Sequence, residues 1–173
     1  DDWLWGGTLD DIHTTIQHGI RANDDDTRVS QMPAFGKDGL LKRDEIEAVV
    51  DYVMTLSGAT HKASYDKGAS IFQQQCAACH GPEGKGGRSV GAPNLTDKIW
   101  LYGGDRQTIY QTVYNARAGV MPAWASRLDE NTIRQLSVYI HELGGGEADA
   151  PALVETPAPV VQPAPEDVKE TAQ

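Results

Sequence analysis

The sequence predicts an all-α protein built from two tandem copies of one small domain, the first copy incomplete, followed by a disordered tail. Three observations lead there. Apolar residues recur at helical spacing: Ile12 with Ile16, Gly68 with Phe72, and Ile133 with Leu136 and Ile140 each share a face. Four features then recur in the same order. Trp3-Leu4-Trp5-Gly6-Gly7 matches Trp100-Leu101-Tyr102-Gly103-Gly104, and the Ile12/Ile16 helix matches one with Ile109 and Val113. Met32-Pro33-Ala34-Phe35 matches Met121-Pro122-Ala123-Trp124, and a last helix opens at Asp44-Glu45-Ile46 in one copy and at Asn131-Thr132-Ile133 in the other. Finally, Pro151, Pro157, Pro159, Pro163 and Pro165 alternate with Ala, Val and acids, a composition that cannot bury a core.

Taken in order, residues 1–58 are expected to be the later part of the first copy, closed by the helix that ends at Leu56-Ser57-Gly58. Residues 59–63 link it to a complete second copy at 64–146, and 147–173 form the tail. The second copy opens with a helix over Ser64–Gln75. Gly81 to Gly91 contains five glycines and no periodicity, so a loop is expected there. A middle helix starts with Asp105 as its N-cap and runs to about Asn115. The last helix spans Glu130–Leu143 and stops at Gly144-Gly145-Gly146. Glycine at a crossing lets helices approach closely, so Gly68 and Phe72 are expected to cross Leu136 and Tyr139.

Between the first two helices of the second copy lies Cys76-Ala77-Ala78-Cys79-His80, the attachment pattern of a c-type haem. At about 100° per residue, Cys79 lies about 60° to one side of Cys76 and His80 about 40° to the other, so all three can meet one flat cofactor. These are the only cysteines. A zinc site lacks its further ligands, and a thioredoxin-like pair lacks its strand-helix-strand setting. Cys76 and Cys79 are therefore expected to hold haem c covalently, with His80 ligating the iron.

Met121 is the expected second axial ligand. Pro122 keeps the residue before it out of the helical region, which leaves the thioether free to point inwards from a loop. Met32 stands in the same context in the first copy and is expected to ligate another haem. By the repeat spacing, the cysteines of that haem would precede Asp1, so the native chain is expected to extend upstream. The carbonyl of Pro93 is a candidate to fix the His80 ring. Arg88, Arg117, Arg127, Trp100 and Trp124 are candidates for haem-edge contacts. His13, His18, His61 and His141 are expected on surfaces, and Asp24-Asp25-Asp26 in a solvated insertion.

The formal net charge of −10 is uneven, at −7 over residues 1–58, +2 over 59–146 and −5 beyond. Nucleic acid is excluded as a partner, and an acidic first part would attract a basic protein. No apolar run reaches the ~20 residues of a membrane span, so this piece is expected to be soluble.

Together the motifs Cys76-Ala-Ala-Cys-His80-Gly, Gly91-Ala-Pro-Asn-Leu-Thr-Asp97, Trp100-Leu-Tyr-Gly-Gly104 and Met121-Pro-Ala-Trp124, with their first-copy partners, resemble the FixP/CcoP family. This is the dihaem cytochrome c subunit of cbb-type haem-copper oxidases. The resemblance covers residues 1 to about 146 and implies two class I cytochrome c domains behind an N-terminal membrane anchor, on the periplasmic face of the bacterial inner membrane. It implies electrons received from a donor cytochrome c and passed to the other subunits of a membrane oxidase complex, with no bond chemistry in this subunit. One haem c would be attached in this chain and a second in the full-length protein. Rival expectations are a freestanding periplasmic dihaem carrier, a dehydrogenase cytochrome subunit, and a haem enzyme or gas sensor with an open iron position.

Overall fold

The computed structural model describes residues 3–60 and 63–148. His61 and the predicted tail from 149 onward lie outside the described residues. Regular structure among the described residues is helical: α1 (Leu9–His18), α2 (Arg43–Leu56), α3 (Tyr65–Gln75), α4 (Ala77–His80), α5 (Arg106–Asn115) and α6 (Glu130–Gly144), with a 3-10 turn at Arg88–Val90. Only isolated bridges occur beside them. No helix among the described residues is long and apolar enough to cross a membrane.

Local chemistry starts and stops these helices. Thr8 accepts from the Asp11 amide at 3.1 Å, Asp105 from Thr108 at 3.0 Å and Asp129 from Thr132 at 3.1 Å. Each short side chain satisfies an amide that the first turn leaves without a partner. Gly145, at φ 70°, ends α6 in the left-handed conformation that glycine adopts without strain.

The packing exchanges the two sequence copies. α2, from the first copy, lies on α3 and α5 of the second, around Ile46, Val49, Val50, Phe72, Ile109 and Val113. α1, from the first copy, lies on α6 of the second, around Ile12, Ile16 and Ile133. Backbone hydrogen bonds repeat the exchange reciprocally. Phe35 and Gly36 donate to Val113 and Tyr114 of α5, while their repeat partners Trp124 and Ala125 donate to Ile16 and Gln17 of α1.

The expected crossing of Gly68 and Phe72 with Leu136 and Tyr139 is therefore corrected. A Cβ on Gly68 would lie 2.2 Å from the Ala48 carbonyl oxygen, so α3 crosses α2, and Tyr139 is 63% exposed. The short connection from α2 to α3 favours this outcome, because consecutive elements joined closely pack as neighbours. Residues 31–118 thus contain, in contiguous sequence, a methionine loop, a last helix, a first helix, the Cys76–His80 turn and a middle helix.

The chain crosses over where two connecting segments run antiparallel. Ile20 and Met121 exchange both backbone hydrogen bonds, at 2.9 and 3.0 Å. Gly19, at φ 70°, sits in the crossing; a Cβ there would lie 2.2 Å from the Met121 carbonyl oxygen.

Candidate haem-binding site

Cys76 closes α3, and Cys79 and His80 lie on the single turn of α4. The amides of Cys79 and His80 both donate to the Cys76 carbonyl, at 3.1 and 2.9 Å. This is the helical turn that the C-x-x-C-H spacing requires. Both thiols are free, Cys79 exposed and Cys76 half-buried. Burial, with Cys79 adding to it, pushes the Cys76 thiol up to about 11, so it stays protonated at neutral pH.

His80 Nδ1 lies 3.0 Å from the Pro93 carbonyl. A carbonyl only accepts, so Nδ1 carries the proton and Nε2 presents its lone pair. Burial lowers the His80 pKa, against a smaller opposing effect of the Pro93 bond, and favours the neutral ring that metal ligation needs. The loop that supplies Pro93 is held in turn by Gly86, whose amide donates to the His80 carbonyl at 2.8 Å.

These groups open onto an apolar cavity lined by Met32, Phe35, Val53, Phe72, Leu95 and Trp100 among others. Two thiols, a neutral imidazole with one nitrogen free, a thioether and a greasy lining fit a covalently held haem c. The donor set is wrong for a hard cation, which takes oxygen ligands.

The structure brings together Cys76, Cys79, His80 and Met32. It does not bring Met121 to them. Met121 packs instead beside Ile12, Ile16, Trp3 and Trp124, in the other half of the molecule. The expected pairing of Met121 with His80 is corrected on this geometry: the exchange of copies carries each methionine loop onto the other copy's middle helix. Both Met-Pro-Ala-aromatic segments look alike locally, so nothing within them says which one will reach the cavity of Cys76 and His80.

Among the other candidates, Trp100 and Arg117 line the cavity, with the Arg117 guanidinium 5.0 Å from the Tyr102 ring. Arg127 lies over Trp124, and Arg88 pairs with Glu147. His13 faces Glu130, His18 Nδ1 lies 2.9 Å from Asp24, and His141 Nε2 bonds the Glu147 carbonyl, all away from the cavity. Arg21 also lines the cavity and escaped the sequence reading, because its counterpart in the second copy is Ala118 and the repeat therefore does not mark it.

Known proteins match this chain in two ways. The family described as cytochrome c oxidase, cbb3-type, subunit III matches residues 63–140. The cbb3-type cytochrome c oxidase subunit CcoP of Cereibacter sphaeroides is 59% identical over 149 residues, 85% of this chain and 51% of that protein. The subunit FixP of Bradyrhizobium diazoefficiens is 57% identical with the same coverage of each. CcoP of Azospirillum brasilense is 53% identical over 155 residues, 85% of this chain and 52% of its own length. The chain spans about half the length of these relatives.

Proposed function

The chain belongs to the CcoP/FixP family of cbb3-type cytochrome c oxidase subunits, and we propose that it carries single electrons within such a complex without performing bond chemistry itself. The support from the site is the convergence of Cys76, Cys79, His80 and Met32 on one apolar cavity. Haem c bound there would supply the ferric/ferrous couple. The residues of the chain do the rest. Cys76 and Cys79 tether the group, Pro93 fixes the His80 ring, and Met32 offers a soft thioether that favours the ferrous state and raises the potential relative to a second histidine. The apolar lining keeps water from the iron.

In this reading the molecule holds two cytochrome c domains with exchanged parts. Met32 ligates the haem on Cys76 and Cys79. Met121 ligates a second haem c. As part of a membrane oxidase complex, the chain would hold its haems at the periplasmic face, where a donor cytochrome c can reach them and the oxidase subunits can accept the electrons.

A reduced-minus-oxidised spectrum of the haem-loaded chain tests the ligands. One low-spin c haem per chain is expected, with a far-red sulfur-to-iron band in the ferric form. Met32→Ala is expected to abolish that band and Met121→Ala to leave it. The opposite result would restore Met121 as the partner of His80. Absence of covalent haem would overturn the electron-transfer reading.

A further inference from the structure

We propose that Arg21 is a positioning residue that holds both methionine-bearing segments at once and so couples the settings of the two sulfur ligands. The inference rests on the ligand reading above. Arg21 Nη1 donates to the Ser30 carbonyl at 2.8 Å, two residues before Met32. Its Nε donates to the Gly119 carbonyl at 2.6 Å, two residues before Met121. One planar guanidinium therefore spans the two connections that cross between the halves, and its fixed fork makes both bonds in one geometry.

The backbone of Arg21 is itself pinned at this junction. Its amide donates to the Arg28 carbonyl at 2.9 Å, and the neighbouring Ile20 is the residue that exchanges both hydrogen bonds with Met121. Its φ of 54° is uncommon for a residue other than glycine and aims the chain into the crossing. The device is asymmetric. Aligning the helix-ending residues Gly19 and Ala116, which both have positive φ, places Ala118 opposite Arg21 in the second copy, so one arginine serves both segments. Neither carbonyl belongs to a helix, so neither segment has a helical ladder to hold it in place without the clamp.

Haem-loaded Arg21→Ala and Arg21→Lys test this through two readouts. One is the far-red ferric band together with the reduction potential; the other is amide hydrogen exchange at Met121, whose N–H donates to Ile20. In Arg21→Ala, the band is expected to fall by at least half and exchange at Met121 to rise at least tenfold, with covalent haem content unchanged. Arg21→Lys, which keeps the charge but lacks the fork, is expected to recover only part of either. Loss of only one effect would overturn the coupling. A shifted potential with both band and exchange unchanged would assign Arg21 a role through its charge and also overturn it. Failure of the ligand reading shows separately, as a band that survives Met32→Ala in an otherwise native chain. The clamp is then judged by exchange at Phe35, whose N–H donates to Val113, and at Met121, which must rise together in Arg21→Ala for it to stand.

Discussion

At the scale of single residues, Gly68 decides how closely α3 can approach α2. A Cβ there would lie 2.2 Å from the Ala48 carbonyl oxygen and 2.8 Å from Tyr52 Cβ, and helical backbone cannot give way as a flexible side chain can. Gly68→Ala gains about 1 kcal/mol of helix propensity, yet overpacking at the crossing costs more. A net loss of about 2 kcal/mol is expected in urea denaturation of the haem-loaded chain, with a displaced Phe72 weakening the cavity wall. That Gly68 marks a crossing is legible in the sequence from its spacing to Phe72. Its partner is not, because Val49 and Tyr52 hold the same repeat positions as Leu136 and Tyr139. Only burial separates the two sets: Tyr52 is 7% exposed, with its ring 5.2 Å from those of Tyr65 and Phe72, and Tyr139 points to solvent.

At the scale of elements, short polar side chains at helix ends do work that the sequence shows directly. Asp105 and Asp129 each accept from the hydroxyl of the threonine three residues on, then from its amide and the neighbouring amide, which lowers the pKa of both carboxyls from its ordinary value. A depressed folded-state pKa means that the caps stabilise α5 and α6 above the ordinary carboxylate range, and that this stability is lost as pH falls through the depressed value. Amide exchange at Thr108 and Thr132 is expected to accelerate on acidification in the parent chain. Asp105→Asn and Asp129→Asn, which cap without titrating, are expected to remove that pH dependence at their own helix. A different tie joins three helices and was not visible beforehand. Asp51 of α2, 9% exposed, accepts from Ser64 Oγ at 3.0 Å at the start of α3 and from Arg106 Nε at 2.8 Å on α5. The hydrogen bond that Arg106 donates to Asp51 is the main reason the Arg106 pKa is raised. Position 51 carries Asp and its repeat partner 138 carries Val, an asymmetry that gives α2 a polar claim on α3 and α5 that α6 lacks.

At the scale of the whole molecule, the exchange changes which piece of chain is self-sufficient. Residues 64–146 contain one complete copy by repeat, whereas 31–118 contain the helices that pack around Cys76, Cys79 and His80, with Leu4, Arg21 and Ser30 adding to the cavity from outside that span. A fragment of residues 31–118, produced with haem attachment, is expected to show the far-red sulfur-to-iron band from Met32, lowered by at least half because the fragment lacks Arg21. The fragment 64–146 is expected to lose α2, expose Phe72, and melt at least 10 °C lower, on the order of 2 kcal/mol or more of lost packing. If 64–146 were the more stable piece with an intact band, the unexchanged arrangement would be the native one.

The sequence by itself determined the helices and their caps, the turn that presents Cys76, Cys79 and His80, the Pro93 bond to the His80 ring, and the recurrence of a methionine before proline. All of these depend on residues close together in the chain, where spacing and side-chain chemistry set the geometry. The tertiary structure alone decided that Met32 and not Met121 faces the cavity of Cys76 and His80, which last helix covers Gly68, and that Arg21 bridges the two crossing segments. Two copies of one pattern offer nearly the same local contacts whether they pack with themselves or with each other. Connection lengths, the Ile20–Met121 pairing and a few asymmetric residues such as Asp51 and Arg21 tip the balance, and these act only once distant parts of the chain have met.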